Sequence, residues 1–291
     1  MHQNLLKYQK YRYLKFTLLL LIGSVILYLS QGQAQPANGG TVQGYVLGTV
    51  AAFLVLLLTY LGIRKRLYSS STGTVEGWTS AHVFLGSALL LIATLHAAFQ
   101  VGWNVHTLAY ALMLMVIFSG FFGLFAYLHY PRILSQNNAG ANQDVWLQEL
   151  HEIDSKIKDL SSSCRGNIRL LLLSALEHTV LGDSLFSQLL GHDNSTVKLQ
   201  SDTKKLVANT NQQQVIDIVA ENMPSSINQA EASALNKILS LFSRRQILLK
   251  KIRRNLQIKA YLKAWLVFHI PLSIALIAAL IVHILVVFIY W

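Results

Sequence analysis

The chain has 291 residues, of which 53% are apolar and only 13% charged, and its mean hydropathy is +0.42. A soluble domain carries roughly a quarter charged residues, so the composition excludes a purely soluble enzyme and equally excludes disorder. The single cysteine, Cys164, excludes an internal disulfide, a paired-cysteine redox motif, a four-cysteine cluster and covalent attachment of a c-type haem. In a chain this apolar, the net charge of +11 reads as basic loops beside anionic lipid rather than as a nucleic-acid surface.

Five apolar segments approach the ~20 residues that a membrane span needs: Phe16 to Ser30, Tyr45 to Ile63, His82 to Val101, Thr107 to Tyr130, and Trp265 to Trp291. The first has the layout of a signal peptide, with a basic start (Lys7, Lys10, Arg12, Lys15) and a small-residue finish at Gln33-Ala34-Gln35. It is read as an uncleaved first span. Orientation follows from the basic residues of the short loops. The N-terminal tail, Arg64-Lys65-Arg66 and the long segment from Pro131 to Lys263 are rich in Lys and Arg, whereas the loops at Gln31 to Gln43 and around Gly102-Trp103-Asn104 carry no charge. The N-terminus is therefore predicted inside and Trp291 outside, in a bacterial-type inner membrane.

The segment between spans four and five is too long for a connector. Trp146, Leu150, Ile153, Ile157 and Leu160 recur at steps of four and three, which predicts a helix with one apolar stripe. A second helix is predicted over Ile168 to Leu181, loops at Gly191 to Ser201 and Asn209 to Gln214, and a long final helix from Gln229 into the fifth span. That last helix is crowded with Arg244, Arg245, Lys250, Lys251, Arg253, Arg254, Lys259 and Lys263, a run that reads as an anionic-lipid contact or as a docking face for an acidic electron-transfer partner. The predicted fold class is an all-α integral membrane protein of five transmembrane helices, with residues 1–130 forming spans one to four, 131–263 a helical cytoplasmic insertion without a cofactor of its own, and 264–291 the fifth span.

Ionisable side chains inside hydrocarbon are costly and point to function. Away from their ends the spans hold no Asp, Glu, Lys or Arg. They hold histidine instead, His82 and His96 in span three and His269 and His283 in span five, each pair fourteen residues apart. Fourteen residues advance a helix by about 21 Å and return to within about 40° of the starting face. Spans three and five run in the same direction, so His82 comes level with His269 on the inner side and His96 level with His283 on the outer side. Two levels of paired imidazoles are what two stacked haems need for bis-histidine ligation. The competing readings are four unrelated core histidines, each hydrogen-bonded to a neighbouring helix, and a zinc or copper site, since imidazole suits both metals. Gly86, Ser273, Ala93, Ala97 and Ala279 leave room for a macrocycle, and equally for close helix packing. Pro271 predicts a kink or a bend beside His269. His106 and His129 bound span four, about 34 Å apart. His106 is a structural interfacial residue or, with Trp103 and Asn104, a donor to an outer haem propionate. Arg64, Lys65, Arg66 and Arg132 are available on the inner side. His151, His178 and His192 show no ligand spacing.

These residues resemble those of di-haem transmembrane cytochromes b. The intervals His82-x13-His96 and His269-x13-His283 are similar to those in the cytochrome b of quinol–cytochrome c reductases. The placement of ligands on the third and fifth spans resembles the ferric reductase and NADPH oxidase superfamily, as do Ala81-His82-Val83-Phe84-Leu85-Gly86, Leu95-His96, Ser119-Gly120-Phe121-Phe122-Gly123 and Phe268-His269-Ile270-Pro271-Leu272. The likeness covers about His82 to Arg132 and Trp265 to Trp291, without that superfamily's sixth span or its flavin and nicotinamide domain, and no GxGxxG fingerprint follows a strand. The expectation is two haem b groups, inner on His82 and His269 and outer on His96 and His283, moving electrons across the membrane as a subunit of an oxidoreductase complex. The expected partners are membrane lipid, a quinol or a cytoplasmic iron–sulfur or flavin donor, and an outer cytochrome c or other redox subunit. The rival expectation is a non-redox scaffold or a transporter subunit that relays protons through its histidines.

Overall fold

The computed structural model describes residues 5–31, 37–65, 73–138, 143–182, 184–199, 206–223 and 229–290. Gln33-Ala34-Gln35, Arg66 and Trp291 lie outside the described residues. The chain is mostly helical, and it divides into two compact units, 1–125 with 265–291, and 126–264. Five of its helices are long and apolar enough to cross a membrane.

The first unit contains α1 (Arg12–Leu29), α2 (Val42–Arg64), α3 (Val75–His96), the first part of α4 (Val105–Asn138) and the last part of α9 (Gln229–Tyr290). Hydroxyl caps start two of these helices: Thr41 Oγ1 accepts from Gly44 N–H, and Thr74 Oγ1 accepts from Gly77 N–H. The interior is aliphatic, with Leu47, Leu54, Leu85, Ala88, Ile92, Met113 and Leu276 buried together. Outward faces are apolar too, as at Leu19, Ile22, Ile26, Phe53, Phe118 and Ile274. Such a surface is the opposite of a soluble bundle's. The helix α3 ends at His96, where the chain reverses through Ala98 and Phe99, two consecutive non-glycine residues in the left-handed region (φ 48° and 60°). α9 continues through Pro271 as helix.

The second unit is built from α5 (Gln143–Ser161), α6 (Gly166–Glu177), α7 (Leu185–Leu190), α8 (Gln213–Asn222) and the earlier part of α9. The predicted stripe Trp146, Leu150, Ile153, Ile157 is buried, packed with Leu171 and Leu172 of α6, Val215 and Val219 of α8, and Leu235, Ile238, Phe242, Leu249 and Ile252 of α9. The stretch expected as a loop at Gly191 to Ser201 includes β1 (Thr196–Lys198), which pairs antiparallel with β2 (Leu206–Ala208), Val197 opposite Val207. Val197 is fully buried, so this short ribbon closes the core where the sequence shows no alternation long enough to mark a strand.

Two members of the basic run on α9, Arg245 and Arg253, are turned inward, while Arg244, Lys250, Arg254, Lys259 and Lys263 are exposed. Arg245 is 1% exposed; its guanidinium donates to Asp154 at 2.7 Å, to Gln212 at 2.8 Å and to Thr179 at 3.1 Å. Arg253 pairs with Asp193 at 2.6 Å, Arg244 pairs with Glu149, and Lys251 stands over the Trp146 ring. Some charges of the run expected to meet anionic lipid or an acidic partner therefore hold the unit's own helices together.

Candidate functional site

All five candidate histidines fall in the first unit, and the helix α2 explains how the pair on α3 is held. His82 Nδ1 lies 3.1 Å from the Leu58 carbonyl and His96 Nδ1 lies 2.8 Å from the Gly44 carbonyl. A carbonyl only accepts, so each Nδ1 carries the proton and donates, and each Nε2 keeps its lone pair. Leu58 and Gly44 are themselves fourteen residues apart on α2, so two carbonyls on one helix match two histidines on the next. Both carbonyls also accept within α2, and the residue four positions on lies over each one, though only at Gly48 would a side chain meet the imidazole. The residues there are Gly62 and Gly48. A Cβ at Gly48 would stand 2.7 Å from His96 Cε1, so only glycine lets the imidazole reach the Gly44 carbonyl.

The α9 pair is held differently. His269 Nδ1 lies 2.6 Å from Ser119 Oγ on α4, and that hydroxyl donates its own hydrogen to the Val116 carbonyl. His269 Nδ1 is therefore a donor as well, and its Nε2 too keeps a lone pair. Gly120 lets α4 approach the His269 ring edge, at 3.8 Å from its Cε1. A Cβ at Gly123 would overlap the Trp265 indole, which lies 5.4 Å from the His269 ring. Trp265 Nε1 is buried and has no hydrogen-bond partner among the described residues. A buried donor without an acceptor is rare in a complete site.

At the inner level His82 and His269 lie within electrostatic reach of one another, and Lys65 at the end of α2 is within reach of both. At the outer level three histidines meet rather than two. The ring centroids are 6.2 Å apart for His96 and His283, 5.3 Å for His96 and His106, and 5.0 Å for His106 and His283. One ligand nitrogen from each lies within 4.8 Å of the others. His106 is the second residue of α4, reached from His96 through a short connection. Thr94 and Tyr110 tie the same two helix ends together, their hydroxyls 2.8 Å apart.

Two of the small residues first singled out, Gly86 and Ser273, make contacts with the helices themselves. Gly86 faces Leu58 Cδ1 at ordinary contact distance, and Ser273 returns its hydroxyl to the His269 carbonyl. Room beside the imidazoles comes instead from Gly39 and Gly48 at His96 and from Gly120 at His269. His129 is exposed on the other part of α4, and His178 Nδ1 donates to the Ser174 carbonyl within the second unit. Asn104 caps α4 through Thr107 N–H, so its side chain is partly committed.

Comparison with protein-family models, with curated proteins and with solved structures finds no match for this chain.

Proposed function

We propose that this chain is a multi-pass membrane protein that carries electrons between the two membrane faces through two b-type haems, inner on His82 and His269 and outer on His96 and His283. The observation that carries this reading is the hydrogen bonding of the histidines. Three of the four hold Nδ1–H on a fixed oxygen and keep Nε2 as a donor lone pair, at two levels fourteen residues apart on parallel helices. Metal-ligating histidines are oriented in this way by their other nitrogen.

Paired imidazoles are a donor set that b-type haem iron takes. Bis-imidazole ligation gives a six-coordinate iron whose one-electron potential is tuned by ligands and surroundings. The chain supplies the rest. Leu58, Gly44 and Ser119 fix the ring orientations, and the aliphatic interior excludes water. At the inner level Lys65 and the unpartnered Trp265 Nε1 provide donors for a propionate. The basic N-terminal tail and the uncharged loops of the sequence orient the N-terminus to the cytoplasm. The short neutral outer loops offer a soluble partner nothing to recognise by charge. A permanently bound outer cytochrome c or other redox subunit is the partner this surface suits, with a quinol or a cytoplasmic iron–sulfur or flavin protein as donor.

The test is the colour of the purified full-length chain. The reduced-minus-oxidised spectrum should show a b-type α-band with two haems per chain. His82→Ala and His269→Ala should each remove one haem and spare the other. A colourless, correctly folded preparation would leave only the scaffold or proton-relay reading.

A further inference from the structure

We propose that His106 is a third imidazole donor of the outer centre, which makes that level a three-imidazole site for a transition metal that prefers nitrogen, delivered as haem iron or as a bare ion. The haem source rests on the function proposed above; the bare-ion source does not.

The geometry of the three rings is the argument. Centroids separated by 5.0, 5.3 and 6.2 Å lie on a circle of about 3.2 Å radius. A metal–imidazole bond is about 2.0–2.1 Å and the ring centre lies roughly 1 Å beyond the nitrogen, so the spacing of the three rings matches that around one metal once a nitrogen of each turns to the centre, and one ligand nitrogen of each already lies within 4.8 Å of the others. Three protein imidazoles with an open fourth position are a recognised set for zinc, and imidazole equally suits copper, iron and nickel. The burial is of the right kind, since each of the three is partly shielded and none is freely solvated.

The helix α4 adds an independent argument. Gly120, which gives the His269 ring room at the inner level, and His106 are fourteen residues apart, the same interval again. α4 therefore meets both levels, contributing space at one and a nitrogen at the other. The ring of His106 lies against those of His96 and His283, at 5.3 and 5.0 Å between centroids. Where haem is the source, His96 would hold the iron with one further imidazole, His283 or, in its absence, His106. Replacing one by the other exchanges one nitrogen lone pair for another, with no proton or electron transferred.

Two measurements on the full-length protein distinguish the sources. In haem-loaded protein, His283→Ala should retain the outer haem in a low-spin state with His106 in place, and the double variant His283→Ala/His106→Ala should lose it or turn it high-spin. In protein purified from haem-depleted cells, cobalt(II) titration should show one ion with the intense visible bands of four-coordination, and His106→Ala should weaken its binding ~10-fold or more. The first result alone identifies haem iron, and the second alone a bare ion. If His106→Ala leaves cobalt binding unchanged, and His283→Ala by itself abolishes the outer haem, His106 is no ligand and the proposal is overturned. If wild-type protein binds no haem, the electron-transfer reading fails while the cobalt titration still decides the role of His106. His106→Gln, matched for size, controls for loss of packing, with the melting profile as the check on folding.

Discussion

The chemistry of single side chains in the second unit is set by burial. Cys164 is partly buried near the Glu231 carboxylate, and burial first, then that charge, push its thiol above the ordinary range, with Arg165 acting in the opposite direction. A raised thiol is less ionised at neutral pH, and the thiolate is the nucleophile. Alkylation of Cys164 by iodoacetamide in the folded protein should therefore be slower at pH 7 than that of a free cysteine, with its half-maximal rate shifted to higher pH. An equal or faster rate would contradict this placement. Arg245 makes the complementary case. Its guanidinium is almost wholly buried and its countercharge comes from Asp154. Removing one partner leaves a buried charge uncompensated, a loss of about 3 kcal/mol. Asp154→Ala should lower the opening free energy of α5 and of the neighbouring part of α9 by that order in amide hydrogen exchange; a change below about 0.5 kcal/mol, the size of an exposed pair, would show that Asp154 is not its essential partner.

At the scale of the element, glycine decides what a helix can accept. Gly48 matters for the space it leaves rather than for its backbone freedom, because a methyl there collides with His96. Gly48→Ala should displace the His96 ring from the Gly44 carbonyl and weaken the outer centre, read as loss of the outer haem signal or of cobalt affinity, while the inner centre keeps its spectrum. Gly62→Ala is the matched control, because a Cβ at Gly62 meets nothing within 4 Å. If both substitutions act alike, propensity rather than the imidazole contact explains the effect, since Ala is the better helix former. Gly123→Ala belongs to the same class at the inner level, where it would push the Trp265 indole from its seat.

At the scale of the whole molecule, two units divide two tasks. The histidine levels and the apolar outer faces belong to the first, and the buried ion pairs and mixed helix–ribbon core belong to the second. The charge asymmetry of the loops predicts which face each loop meets. Alkaline phosphatase fused within the neutral connection at Gly102 should be active, because the enzyme folds only outside the cytoplasm, and the same enzyme fused within the second unit should be inactive. The reverse pattern would invert the orientation and with it the assignment of inner and outer centres.

Periodicity and interval are properties of the chain alone, so the sequence by itself determined the five apolar helices, the stripe from Trp146 to Ile157, and the two histidine pairs on one face each. A helix repeats its geometry so regularly that fourteen residues fix both height and facing. What lies across from each histidine is not periodic. The carbonyls of Leu58 and Gly44, the hydroxyl of Ser119 and the meeting of His106 with His96 and His283 depend on how neighbouring helices are rotated, and on the left-handed turn at Ala98 and Phe99 that folds α4 back against the end of α3. The inward turn of Arg245 and Arg253 is of the same kind. A run of basic residues reads as a lipid or docking contact until an acidic residue distant in sequence is packed against one of its members, and burial then makes that pair part of the core. Local spacing chose the residues, and helix packing chose their partners.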